Sequence, residues 1–249
     1  MFGAFIVGKS HIPNFVGSYI KLSEFKGHEN QGPKTIEAIN NPDCGWFFNA
    51  KPDDFKKIPG SPVAYWVSEK VRAIFETSPS MGDVADARQG LATADNNRFL
   101  RFWQEVDIQK IGFGMESRQQ AQSSHKKWFP YNKGGEFRKW YGNQEYVVNW
   151  ENDGKELFEF LPRSVIRNPS YYFKPSISWS RITSSFNSFR FYPTGFIFDQ
   201  AGHSIFSNDA PATMSYLNSK FCSFILNVMN PTMNLEVGYI QSIPAATES

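Results

Sequence analysis

Apolar positions fall into helical register in two stretches of this chain and into alternation in several others. In the first stretch Ser61 is placed to cap a helix and Pro62 to open it. Val63, Trp66, Val67, Val71, Ile74 and Phe75 then recur on one face. Turn residues in the run Ser78 to Asp83 end that helix and mark a candidate boundary. The second stretch runs from about Thr213 through Asn227, with Leu217, Phe221, Phe224, Ile225 and Val228 as its buried stripe. It stops at Pro231, because the residue before a proline is pushed out of the helical region. Elsewhere the texture is extended. SYIKL (Ser18 to Leu22) and EYVVNW (Glu145 to Trp150) read as strands, and SFRFYPTGFIFD alternates on both sides of Pro193-Thr194-Gly195, the pattern of a β-hairpin. The expectation is an α+β fold of mixed and antiparallel sheets with a few packed helices, without internal repeats.

Composition narrows this picture in two ways. With 249 residues the chain is long enough for a real core, and a formal net charge of only +2 gives no global basicity that would by itself point to nucleic acid. Aromatic residues make up 16% of the chain, with 24 phenylalanines, so rings are available beyond what a core needs. Cys44 and Cys222 are far apart and form no C-x-x-C pair, which argues for a reducing, cytoplasmic setting. The opening MFGAFIVGKS lacks the cationic start and small-residue cleavage site of a signal peptide, and no apolar stretch approaches the length of a membrane span.

Most catalytic signatures fail. Gly112-Phe113-Gly114 lacks the third glycine and the strand-to-helix setting of a cofactor loop and reads as a turn. NNPDCGWFF (Asn40 to Phe48) has Asp43 and Cys44 where an amino-methyltransferase has its second proline and its ring. Pro42-Asp43 followed by Asp54-Phe55-Lys56 formally matches a PD-(D/E)xK nuclease, in which two carboxylates hold Mg²⁺ and a lysine polarises the attacking water. That chemistry needs Asp54 and Lys56 on one face of a strand beside Asp43, whereas the prolines flanking KPDDFKKIPG indicate a loop. His11, His28, His125 and His203 have no ligand spacing to one another or to a cysteine, and Ser204 is no nucleophile elbow. The expectation is a chain with no catalytic or metal-binding residues.

One stretch stands out. KKWFPYNKGGEFRKWYGN (Lys126 to Asn143) sets Lys126, Lys127, Lys133, Arg138 and Lys139 against the single acid Glu136, with Trp128, Tyr131, Trp140, Tyr141 and a glycine pair among them. Lysine and arginine on a turn-rich surface neutralise phosphates, rings stack or take cations, and Asn143 and Gln144 can read base edges. Arg181 and Arg190 extend the surface if a sheet brings them alongside. The alternative is that the rings are core residues and the lysine stems merely cover the far face.

IPGSPVAYWVSEKVRAIF, RQGLATADNNRFLRFWQEV, KKWFPYNKGGEFRKWYGNQEYVVNWENDG, SISWSRITSS, FYPTGFIFDQAGHSIF and LNSKFCSFILNVMNPTMNLEVGYIQSIP, taken in order, resemble the C-terminal half of PglX-type adenine-specific DNA methyltransferases of BREX phage-defence systems. These share a TaqI-like recognition region with type IIG restriction–modification enzymes. The resemblance implies that residues 1–88 are the incomplete tail of a methyltransferase domain and that residues 89–249 are a target-recognition domain. It also implies double-stranded DNA as partner, together with the missing methyltransferase domain or other defence proteins, and no membrane. S-adenosylmethionine would serve the intact parent enzyme and no cofactor would bind this chain, whose glycine loop and Asn-Pro-Pro-aromatic motif are absent. Ala94 stands where the family's Gly-Leu-x-Thr-Gly-Asp-Asn run usually has glycine, which would strain the turn if that residue takes a positive φ. Two other classes remain as alternatives: the nuclease built on Asp43, Asp54 and Lys56, and a protein-interaction domain that docks other defence components through its rings.

Overall fold

The computed structural model describes residues 4–10, 12–183 and 186–246, so His11, the first three residues of the N-terminal apolar run and Ser184-Ser185 lie outside the described residues. The chain forms two compact units, residues 1–78 and 79–249. Among the described residues no helix is long and apolar enough to cross a membrane.

In the first unit, β1 (Gly17–Ile20) pairs antiparallel with β2 (Phe47–Ala50), and α1 (His28–Asn40) lies between them in the chain. Tyr19 of β1 stacks on Tyr65 at 4.7 Å and meets the edge of Phe55 at 5.7 Å, giving the small sheet an aromatic floor. The expected helix start is displaced. Ser61 takes a φ of 48°, and the cap of α2 (Glu69–Thr77) lies seven residues later at Ser68, whose hydroxyl accepts from the Val71 amide. Val63 and Trp66 therefore stay outside the helix and exposed, while Val67 is buried.

The second unit opens with α3 (Met81–Val84), β3 (Asp86–Arg88), α4 (Asn96–Phe99), β4 (Leu100–Phe102) and α5 (Arg118–Ser123). Next come β5 (Trp128–Asn132), β6 (Tyr146–Asn149), α6 (Glu151–Glu159), β7 (Ser176–Ser180), β8 (Phe189–Tyr192), β9 (Ile197–Phe198) and β10 (Gly202–Phe206). Three helices close it: α7 (Ala210–Leu217), α8 (Lys220–Met229) and α9 (Val237–Ser242). The strands form two four-stranded sheets, β3-β10-β7-β8, all antiparallel, and β4-β6-β5-β9, in which β5 and β9 run parallel. The fold is thus α+β with mixed and antiparallel sheets, as the pattern predicts. Phe99, Phe129, Tyr131, Val148, Trp150, Leu157 and Phe173 are among the residues that fill the core around the second sheet.

Two expectations are corrected here. SFRFYPTGFIFD is not a hairpin: β8 pairs with β7 and β9 pairs with β5, in different sheets. Phe173 separates them, its amide donating to the Phe196 carbonyl and its carbonyl accepting from Gly195, so the turn is spent on switching sheets. The predicted helix over 213–227 is two helices. Asn218 interrupts it by turning its side-chain amide onto the Phe189 backbone, accepting at 3.1 Å and donating at 2.8 Å, and Ser219 then caps α8. Cys222, Ile225, Leu226, Val228 and Met229 form the buried face of α8, whereas Phe221 and Phe224 are exposed. Burial pushes the Cys222 thiol up to about 12, so it stays an inert hydrophobe.

Candidate nucleic-acid interface

The ring-and-cation stretch divides into two parts with different fates. Its first half is β5, whose five residues are all buried. Trp128 and Phe129 are core residues, as the alternative reading of the rings expects, and Tyr131 joins them, whereas Trp140 and Tyr141, which that reading also placed in the core, are exposed. Asn132, at the end of β5, is fully buried and joins the two sheets: its amide donates to Ser178 Oγ at 2.7 Å and to the Gly202 carbonyl at 3.1 Å, and its oxygen accepts from the Gly134 amide. Fully satisfied, such a group fixes the packing of the sheets, whereas an unpaired buried amide would cost about 1–3 kcal/mol.

The cations of this half are engaged inside the protein. Lys126 donates to the Gln109 carbonyl, and the Lys127 amine lies 3.6 Å from Glu151 and 3.9 Å from Glu156. Lys133 is the counter-ion of Asp199, a carboxylate only 1% exposed, at 2.8 Å. Asp199 also accepts from the Tyr131 hydroxyl at 2.6 Å and the Ala201 amide at 2.6 Å. Burial and the Asp199 charge together push the Tyr131 phenol well above its ordinary range, which keeps it a proton donor.

The second half is a loop over residues 133–143 whose backbone is held at many points. Gly134 and Gly135 take φ of 77° and 128°, and a Cβ on Gly134 would lie 2.6 Å from the Ala201 carbonyl oxygen, so the tight turn there requires glycine. Ser180 Oγ donates to the Gly135 carbonyl at 2.6 Å and Asn143 Nδ2 to the Glu136 carbonyl at 2.9 Å. Trp140 exchanges two 3.0 Å backbone hydrogen bonds with β8, to Phe189 and from Phe191, and holds a φ of 72° that a bulky residue adopts only under constraint. The Tyr192 hydroxyl donates to the Asn143 carbonyl at 2.7 Å. Between these anchors Glu136, Phe137, Arg138 and Lys139 are exposed. A cavity of about 500 Å³ opens beside the loop, lined by Gly135, Glu136, Phe137, Ser180, Ile182 and Ala201 among others.

The remaining expected contact residues fall on both sides of this line. Arg181 is half-buried and paired with Glu236 at 2.7 Å. Arg190, expected on the surface, is fully buried: one Nη donates to Ser180 Oγ at 3.0 Å, while Nε and the other Nη have no partner. It sits behind the loop, and its guanidinium has no access to a phosphate. Asn143 is buried with its amide on the Glu136 carbonyl, and the half-buried Gln144 turns Nε2 to the Phe191 carbonyl at 3.4 Å. In the sequence Glu136 stands out only as the lone acid of the stretch, and Phe137 is not singled out. The signal for them is the placement of glycines at both ends of the loop.

The nuclease geometry is not formed. Asp54 and Lys56 lie on a 3-10 turn, Pro52–Lys57, not on a strand, and their charges are taken up locally by Lys57 at 3.2 Å and Asp53 at 2.8 Å. Among the described residues no three His, Cys, Asp or Glu side chains gather into a metal site. The Gly112-Phe113-Gly114 turn packs on the core, since a Cβ on Gly112 would lie 2.4 Å from the Phe129 ring. Cys44 and Cys222 are both unbridged thiols.

No protein-family profile matches the chain. It is 37% identical over 255 aligned positions, covering 98% of its length, to the adenine-specific methyltransferase PglX of Lacticaseibacillus casei (strain Zhang). It is 34% identical over 247 positions, covering 97%, to the adenine-specific methyltransferase BrxX of Escherichia coli O9:H4 (strain HS). The chain spans only about one fifth of the length of these curated relatives, 21% and 19% respectively.

Proposed function

We propose that this chain is the DNA sequence-recognition module of an adenine-N6 methyltransferase in a phage-defence system of the BREX type. The observation that carries the reading is the similarity of nearly the whole chain to one fifth of two adenine-specific methyltransferases. In this reading residues 1–88 continue the methyltransferase domain and residues 89–249 form a TaqI-like recognition domain. S-adenosylmethionine and the catalytic Asn-Pro-Pro-aromatic motif belong to the part of the enzyme outside this chain, so this module selects the site and does not transfer the methyl group. Phosphate contacts set the register of a duplex and side chains in a groove choose its sequence. The exposed Arg138 is suited to the first task, and Lys139, exposed as well, would exchange the Asn218 carbonyl that its amine meets at 3.2 Å for a phosphate.

The test is duplex binding titrated with salt. Each phosphate neutralised contributes about −0.9 to the slope of log affinity against log salt. Replacing Arg138 and Lys139 together by alanine is expected to weaken binding and flatten that slope by about 1.8. An unchanged slope removes both from the interface. The exposure of Trp140 and Tyr141 beside them, 49% and 70%, favours a second reading, a protein-docking face, which predicts partner binding with no salt-sensitive affinity for DNA.

A further inference from the structure

We infer that the tip of the 133–143 loop is a preorganised base-reading element in which the Glu136 carboxylate selects a base that presents an amino group in the major groove, cytosine or adenine. This rests on the recognition reading above and names the contacts through which it would act.

The loop meets the requirements for reading without rearrangement. Around the tip its anchors take hold of main-chain atoms, the carbonyls of Gly135, Glu136 and Asn143 and both backbone groups of Trp140, while the side chains of Lys133 and Lys139 are tied to Asp199 and to the Asn218 carbonyl. Behind them the buried Arg190 is bonded to Ser180, and Ser180 in turn to Gly135, so the loop rests on β7 and β8 and does not hang in solvent. None of these bonds uses the side chain of Glu136 or Phe137. The fold therefore fixes where those two side chains start while leaving their ends exposed, Phe137 at 43%. Groups held in place before contact lose little conformational freedom on binding, which is where specificity is gained most cheaply.

The chemistry of the tip narrows what it can choose. A carboxylate only accepts hydrogen bonds, so it pairs with the N4 amino group of cytosine or the N6 amino group of adenine and repels the keto oxygens of guanine and thymine at the same place in the major groove. Phe137, Ile182 and Ser180 line the same open cavity of about 500 Å³ as Glu136, so apolar and polar groups face one space beside the loop tip. An acid at the centre of a cationic stretch would oppose a purely phosphate-binding role, and a reading role accounts for it.

The experiment is selection of bound duplexes from a pool randomised in sequence, using the full chain and its Glu136→Gln and Glu136→Ala forms. Glu136 is exposed and its side chain supports no other group, so both variants are expected to fold as the parent does, checked by their melting curves. The parent is expected to prefer cytosine or adenine at one position by about ten-fold over guanine and thymine. Glu136→Gln, whose amide can donate or accept, is expected to lose that preference at that position alone, with the salt slope unchanged. If both variants keep the parental base preference while binding DNA, the inference is overturned and the recognition reading stands. If the parent binds no duplex in a salt-dependent way, the recognition reading fails and the inference fails with it.

Discussion

Replacing Lys133 by alanine separates a structural role from a binding one. In the folded chain Asp199 is 1% exposed and holds its charge against one ammonium, at 2.8 Å, and two neutral donors, Tyr131 and Ala201, both at 2.6 Å. Removing the lysine leaves the carboxylate in place with the neutral donors alone. Breaking a buried ion pair from one side costs about 3–5 kcal/mol. The side chain of Lys133 is 25% exposed, so water can partly replace it, and the two surviving donors also limit the loss. The expected cost is therefore at the low end, about 3 kcal/mol. For a unit of the size of residues 79–249 this corresponds to a fall in Tm of roughly 6–12 °C. Urea and thermal unfolding of the full chain measure it, and hydrogen exchange of the β5 amides assigns the change to this sheet. The control is Lys133→Ala combined with Asp199→Asn, which removes the stranded charge and keeps a side chain able to accept from Tyr131. It should recover a substantial part of the loss, since the cost belongs to the unpaired carboxylate. A single-variant cost below about 1 kcal/mol, or a double variant no more stable than the single, refutes the account. If the account holds, weak DNA binding by a Lys133 variant reports a damaged fold before it reports a lost phosphate contact.

Two further outcomes follow from backbone and burial. Ala94 is exposed and sits at φ 60°, where an L-residue pays about 1–2 kcal/mol, so Ala94→Gly is expected to stabilise the chain by about 1 kcal/mol after glycine's greater freedom when unfolded is counted, read as a higher midpoint in urea. His203 is fully buried, its Nε2 4.0 Å from Glu236, and burial lowers its pKa from 6.5, opposed by Glu236 and a backbone hydrogen bond with Gln200 and aided by Arg181. The unfolded chain then binds a proton that the folded chain refuses. Stability is full above pH 6.5 and declines as pH drops below it, down to the folded value. His203→Phe should flatten that decline, and a parallel pH profile in the variant assigns the decline to other groups.

The legible parts of the sequence were those whose local signal and tertiary setting agree. EYVVNW contains β6 and SYIKL overlaps β1 because an alternating run needs only a neighbour to pair with. The substitution of Ala94 for glycine correctly flagged a strained turn, since the positive φ belongs to the local run Thr93 to Asn96. The illegible parts are those where a side chain from far away decides. Phe173 enters between β8 and β9, and nothing in SFRFYPTGFIFD announces it. Asn218 breaks a continuous helical stripe to satisfy the Phe189 backbone, 29 residues distant in sequence. Ser61-Pro62 has the composition of a helix start, yet Ser68 has the extended φ and ψ and the free amide three residues on that a cap requires. At the candidate site the lesson is similar. Cations and amides that look like ligands for a duplex are used within the fold, as with Lys133, Asn143 and Arg190, and only their surroundings distinguish them from Arg138 or Glu136.

The bracing of the 133–143 loop has a consequence for how such a protein can change. Because the braces leave the side chains at positions 136 and 137 untouched, the letters there can be exchanged with little penalty to shape. If the proposed reading of DNA holds, a lineage under pressure to choose a different site would need to alter only a residue or two, retaining the sheets, the buried arginine and the glycines as an unchanging mount.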